Sequence, residues 1–262
     1  MKELKKKNAF ISDMDGVIYH GNKLLPGAVE FVEWLRRNQR KYLFLTNSSE
    51  RTPRELREKL LRLGMDVPEE NFYTSALATA DFLARQRPEC SVFAIGEAGL
   101  YNALYERGIS MNDSSPDYVV VGETRTYSYE RIEKAVHLIN KKGARLIGTN
   151  PDMTGPTEHG IVPATGALIA PIELATQTKA YFVGKPNPLM MRRAVKRLEA
   201  MSRETMIVGD RMDTDIVAGV EAEVDTVLVL SGVTAMEDIE RFAYRPSYIM
   251  RGLDELVEEL RR

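Results

Sequence analysis

The stretch "AFISDMDGVIYH", Ala9–His20, sets an apolar run directly against two aspartates, Asp13 and Asp15, one methionine apart. A continuous apolar run of this length reads as a strand buried on both faces, as in a parallel sheet, whereas a half-exposed antiparallel strand would alternate. Two carboxylates in one small volume repel each other, and burying either is costly without a partner. A metal ion, a shared proton or a surface turn would each accommodate the pair, and the remaining sequence has to choose among them.

Working outward, short apolar runs alternate with helical patterns along the whole chain. In "AVEFVEWLRR" (28–37), Val29, Val32 and Leu35 share one face and Glu30, Glu33, Arg36 and Arg37 the other. "KYLFLT" (41–46) reads as the next strand. "TPRELREKLLRLG" (52–64) then opens with Thr52 and Glu55 in capping-box spacing, carries Pro53 at the first helical position, buries Leu56, Leu60 and Leu63, and stops at Gly64. "SVFAI", "YVVVG", "ARLIGT", "YFVG", "TMIVG" and "TVLVL" are further strand candidates. This rhythm predicts an α/β fold of βαβ units with a mostly parallel sheet. Polar breaks at "RQRPEC" and "ATQTKA" predict a second domain inserted at about 88–178, between core segments 1–87 and 179–262. Pro171 interrupts the helical pattern of "GALIAPIELAT" and predicts a kink there.

Bulk properties narrow the function classes. A net charge of -2 argues against a general nucleic-acid binder, which would be clearly basic. The basic "KELKKK" near the start reads as a solvated chain end. Cys90 is the one cysteine, so no intrachain disulfide forms, in keeping with a reducing compartment. No apolar segment follows the first lysines as a secretory signal would require, and "IVPATGALIAPI" is too short and too broken by Pro and Gly to span a bilayer. The expectation is a cytoplasmic enzyme without nucleic-acid or membrane partners.

Ligands of open α/β sheets bind at the carboxyl ends of the strands, and the unusual polar residues fall there. Asp13 and Asp15 follow "AFIS", Thr46 and Asn47 close "KYLFLTN", Lys185 follows "YFVG", and Asp210, Asp213 and Asp215 follow "TMIVG". Each has a bland explanation alone, as turn, cap or surface charge. Together they make sense as one phosphate-handling site. Mg²⁺ takes oxygen ligands, which Asp13 and Asp210 can supply, and the ion offsets repulsion between carboxylates and phosphate. A carboxylate can also attack phosphorus and carry the phosphoryl group. Lys185 and Thr46 would neutralise and position the phosphate, and Asp15 would move protons to the leaving group and from water.

These segments, "DMDGV", "TN", "GKPNP" and "GDRMDTD", resemble in order and spacing the four motifs of the haloacid dehalogenase superfamily. "LTNSSERTP", "VVVGETRTYSYERI", "TNPD" and "VLVLSGV" resemble its NagD-like phosphatase branch over nearly the whole chain. The resemblance implies a Rossmann-like doubly wound core with an inserted α/β cap of the C2 type. It implies Asp13 as nucleophile and Mg²⁺ ligand, and Asp15 as acid/base that also ligates Mg²⁺ through its backbone carbonyl. Thr46, Asn47 and Lys185 would hold the substrate phosphate. Asp210 would be the second carboxylate ligand and Asp215 would support the metal; Asp213 competes for that last role, and the family match favours Asp215.

The cap loop "TNPDMTGPTEHGIVPATG" would set specificity, with Asn150, Asp152 and His159 as candidates for the leaving group. His159, like His20, also reads as an ordinary loop or flap histidine. The implied substrate is a small phosphorylated metabolite, with nucleoside monophosphates such as UMP favoured. Sugar phosphates, phosphoglycolate and p-nitrophenyl phosphate are the alternatives within the family, and a homodimer joined through the cap is an option. A non-enzymatic receiver-like phosphoacceptor is the competing class, which needs neither Asp15 nor an inserted domain.

Overall fold

The computed structural model describes residues 4–157 and 160–262. After a 3-10 turn at Leu4–Lys6 comes strand β1, Ala9–Ser12, whose four residues are all buried. A short hairpin, β2 (Tyr19–His20) with β3 (Lys23–Leu24), leads into helix α1, Ala28–Arg37. The predicted amphipathic stripe is present but wider than expected: Phe31 and Trp34 are buried along with Val32 and Leu35. Both rings meet Phe10 edge-on, at centroid distances of 6.0 and 5.7 Å. Such pairs add specificity to the large apolar area they cover.

Strand β4, Lys41–Thr46, matches its predicted bounds. Helix α2 (Pro53–Arg62) starts at the predicted proline, and the capping box is formed: Thr52 N donates to Glu55 Oε2 at 2.8 Å and Glu55 N to Thr52 Oγ1 at 3.2 Å. Strand β5 (Phe72–Thr74) and helix α3 (Ser75–Gln86) follow, α3 being capped by the Thr74 hydroxyl.

The chain then builds a second parallel sheet from β6 (Ser91–Ile95), β7 (Ser110–Met111), β8 (Tyr118–Val121) and β9 (Arg145–Gly148), with helix α4 (Ala98–Glu106) after β6 and helix α5 (Tyr129–Lys142) after β8. An antiparallel pair, β10 (Thr154–Thr157) and β11 (Gly160–Pro163), precedes helix α6, Thr165–Thr176. Helix α6 runs through Pro171 as one continuous element; the ring costs one backbone donor, and burial of Leu168, Ile169 and Ile172 outweighs that loss. Strand β12, Tyr181–Phe182, completes the order β12-β9-β8-β6-β7 among the described residues. Phe93, Val119, Leu138, Leu146 and Ile169 lie in the core of this sheet.

Helix α7 (Pro188–Arg197) opens as predicted, with Asn187 as cap accepting from Leu189 N at 3.0 Å. Strand β13 (Thr205–Gly209), a π-helical turn at Met212–Ile216, helix α8 (Val217–Glu221), strand β14 (Asp225–Val229), strand β15 (Tyr248–Met250) and helix α9 (Leu253–Arg261) close the first sheet. Its order is β15-β14-β13-β1-β4-β5. Strand β1 lies between β13 and β4, parallel to both, with Ser12 level with Val208 and Phe44.

Two units result. One comprises 1–46, 57–73 and 185–262; the other comprises 47–56 and 74–184. The second therefore takes in α3 and the loop after β4 besides the 88–178 segment. Two of the boundaries fall inside sequence motifs, between Thr46 and Asn47 and between Gly184 and Lys185.

Candidate active site

The register of the first sheet sets the geometry. Asp13 is the first residue past β1, and its backbone N–H extends the ladder to Val208 O at 2.8 Å. Asp210 is the first residue past the neighbouring β13, so both carboxylates leave the sheet at one edge. Asp215 reaches the same place from the π-helical turn, whose wider winding has Ile216 N donating to Arg211 O, five residues back. Carboxylate oxygens of Asp13, Asp210 and Asp215 all lie within 4.8 Å of one another, and all three residues are buried.

Lys185 is the counter-charge, only 2% exposed. Its Nζ donates to Asp13 Oδ1 at 2.5 Å, to Asp215 Oδ1 at 2.6 Å and to the Leu45 carbonyl at 3.4 Å. Burial works against the ammonium, but the charges of Asp13 and Asp215 outweigh it and hold Lys185 above its ordinary pKa. Burial pushes the Asp13 carboxyl well above the carboxylate range, opposed by Lys185 and reinforced by Asp215 and Asp210. Burial and then the Asp215 charge raise Asp210 to about 7, against the Val233 N–H that donates to its Oδ2 at 2.7 Å. One ammonium thus faces three buried carboxyls gathered in one small volume.

Glycines make this packing possible. Gly16, at φ +80°, and Gly232 present bare Cα atoms to the Asp210 carboxylate, and a side chain at either would collide with it. Asp213, the rival of Asp215, faces elsewhere: its carboxylate pairs with Arg211 at 3.0 and 2.8 Å, which holds its pKa down despite partial burial. Asp15 stands outside the buried set with its side chain 45% exposed and His20 Nδ1 3.9 Å away.

The loop after Thr46 belongs to the other unit and is fixed by it. The Asn47 carbonyl accepts from Ser75 Oγ at 2.5 Å and Asn150 Nδ2 at 2.8 Å, while Asn47 Nδ2 donates to Asp152 Oδ2 at 2.9 Å. Asn150 is fully buried, and its remaining oxygen accepts from Asp152 N at 3.1 Å. Asn150 thus lies beneath the loop. Asp152 is partly exposed, and His159 lies outside the described residues.

A model of haloacid dehalogenase-like hydrolases matches residues 10–110, and a second model of HAD-like hydrolases matches 182–256. Dihydroxyacetone phosphatase of Corynebacterium glutamicum (strain R) is 45% identical over 95% of this chain and 90% of its own length. Ribonucleotide monophosphatase NagD of Escherichia coli (strain K12) is 43% identical over 94% and 96%. The crystal structure of 4-nitrophenylphosphatase from Thermotoga maritima superposes with a TM-score of 0.94 at 35% identity, covering 98% of this chain and 99% of that one. The chain belongs to the haloacid dehalogenase-like hydrolases. It is a NagD-like phosphatase, a phosphoric monoester hydrolase with the α/β fold of that family. A signalling receiver is thereby set aside. Among the described residues no helix is long and apolar enough to cross a membrane.

One feature of this phosphatase escaped the motif reading. Glu123, the second residue past β8, accepts from Ser49 N at 2.8 Å and Ser48 Oγ at 3.1 Å. The only sequence signal was a carboxylate at the end of an apolar strand, in "YVVVGE".

Proposed function

We propose that the phosphatase hydrolyses small phosphomonoesters by way of a phosphorylated Asp13, with nucleoside monophosphates such as UMP as the favoured substrates. The observation that carries the chemistry is the buried Asp13–Lys185–Asp215 set beside Asp210, titratable groups gathered at the end of a sheet whose strands are otherwise apolar. Substrate preference is supported by the 43% identity to a ribonucleotide monophosphatase. The 45% identity to a dihydroxyacetone phosphatase favours a second reading, a three-carbon sugar phosphate.

In this reading an Asp13 oxygen attacks phosphorus as the bond to the leaving oxygen breaks, and Asp15 supplies that oxygen with a proton. Asp15, open to solvent, then takes a proton from water as the water attacks the phosphoryl group and frees Asp13. Lys185 holds Asp13 in place and, with Thr46 and Asn47, the phosphate oxygens. Asp13, Asp210 and the Asp15 carbonyl would hold Mg²⁺, with Asp215 in support; a cluster of carboxylate oxygens suits that ion. When bound, the ion neutralises charge on the transferring phosphoryl group. Residues 88–178 act as the specificity cap, with Asn150, Asp152 and His159 as candidates for the leaving group and Asn150 also holding the loop.

The test is phosphate release from UMP and from dihydroxyacetone phosphate with Mg²⁺, alongside EDTA and Asp13→Asn controls. Turnover that needs both Mg²⁺ and Asp13 supports the chemistry, and the ratio of kcat/KM values chooses the substrate. Substantial turnover by Asp13→Asn would remove Asp13 as nucleophile.

A further inference from the structure

Glu123 and the loop after Asn47 grip each other reciprocally. Its carboxylate accepts from Ser49 N and Ser48 Oγ, and its own backbone N–H donates to Ser49 Oγ at 2.9 Å. Ser49 is fully buried, so its amide has no water to fall back on. The neighbouring glycines are shaped to the same contact. A side chain at Gly122 would strike Ser49 Oγ, and one at Gly99, whose N–H donates to Glu50 O at 3.0 Å, would strike the carbonyls of Ser49 and Arg51. One residue upstream, Asn47 is held by Ser75, Asn150 and Asp152.

We propose that Glu123 is a positioning residue for substrate phosphate, acting through the Ser48–Ser49 backbone to fix Asn47. The proposal rests on Asn47 being a phosphate contact, as in the function proposed above. A carboxylate here has a price: burial raises it to about 7 despite the Ser49 and Ser48 donors, with the charges of Glu50 and Asp152 adding to the rise. An apolar side chain would fill the space without that cost but would leave the Ser49 amide unsatisfied.

The experiment compares wild type, Glu123→Ala, Glu123→Gln, Ser48→Ala and Leu138→Ala with p-nitrophenyl phosphate as substrate and inorganic phosphate as inhibitor. Leu138 lies in the core of the same unit and controls for lost stability. Loss of the clamp weakens ground state and transition state alike, so Glu123→Ala raises KM and the phosphate inhibition constant about tenfold with kcat nearly unchanged. Glu123→Gln keeps an acceptor oxygen and restores both to within about threefold. Ser48→Ala, which spares the buried amide, gives a smaller rise. Leu138→Ala lowers Tm and leaves both constants alone.

Two further measurements separate the possible failures. In an Asn47→Ala background the effect of Glu123→Ala shrinks to within about twofold if Glu123 acts through Asn47. Hydrogen exchange over residues 47–56 shows protection lost in Glu123→Ala and kept in Glu123→Gln. Unchanged exchange in the alanine variant, unchanged KM in a folded alanine variant, or a full effect without Asn47 would each overturn the proposal. If Glu123→Ala does not fold, unchanged constants in Ser48→Ala overturn it. A wild type that releases no phosphate instead overturns the proposed chemistry, and exchange still decides the clamp.

Discussion

Asp210→Asn should stabilise the metal-free phosphatase while abolishing its turnover. Asp210 is 2% exposed and its carboxyl is raised to about 7, first by burial and then by Asp215. A carboxyl raised on folding binds its proton more tightly in the folded state than in the unfolded one. Stability from this group is therefore full below pH 4, falls as pH climbs to about 7, and stays low above it. At about 1.4 kcal/mol per unit, a rise from 3.8 to about 7 amounts to roughly 4 kcal/mol at pH 8, as a ceiling. Asparagine keeps the acceptor for Val233 N and cannot ionise, though placing its amide costs back about 1–3 kcal/mol. The balance, about 2 kcal/mol, corresponds to a rise in Tm of about 4–8 °C. The assay is thermal unfolding in EDTA at pH 8 and pH 5, then at pH 8 with Mg²⁺. The advantage should vanish at pH 5. Mg²⁺ at about 100 times its Kd should raise the wild type by about 2.7 kcal/mol and the variant much less. A variant no more stable than wild type at pH 8, or equally favoured at pH 5, would refute this account of the cluster.

Lys185→Met removes the ammonium from two buried carboxylates and should cost about 3–5 kcal/mol in EDTA at pH 8, read as a drop in Tm, with turnover lost. Mg²⁺ affinity measured by calorimetry should weaken about tenfold per unit of pH below 7, because a proton on Asp210 must leave as the ion enters. Glu123→Gln should gain on wild type as pH rises from 4.5 through 7, since the wild-type carboxyl, raised to about 7, is the one that becomes costly; a Tm difference independent of pH would contradict this.

The sequence disclosed most where chemistry and chain position coincide. Strands β1, β4 and β13 were legible because parallel strands buried on both faces are continuous apolar runs, and the residues that end them were therefore legible as a set. Edge strands of two or three residues, such as β7 and β15, carry too little pattern to stand out. Asn150 and Glu123 were harder for another reason. Asn150 is 103 residues from Asn47 and Glu123 is 74 from Ser49, and neither local pattern nor propensity records which loop a side chain will meet. The same blindness applies to Asp213 and Asp215. Their two-residue spacing does not reveal that a π-helical turn sends one to Lys185 and the other to Arg211.

The buried charges are themselves an argument about function. A buried ion pair is weak support for stability, since apolar residues of similar size often serve a fold as well or better. Nothing in the first sheet demands charge at this edge: β1 and β13 are buried throughout, and the glycines at 16 and 232 are kept bare so that Asp210 fits. Lys185 pairs with Asp13 and Asp215, yet burial still holds Asp13 well above its ordinary value and Asp210 at about 7, a cost to folding in the metal-free protein. In the function proposed above a divalent cation would offset that cost and leave the site balanced for a phosphate. The cluster is therefore better understood as a preorganised charge deficit than as a brace for the sheet. On that view neutralising Asp210, which has no ion pair with Lys185, relieves the metal-free fold, whereas neutralising the lysine burdens it.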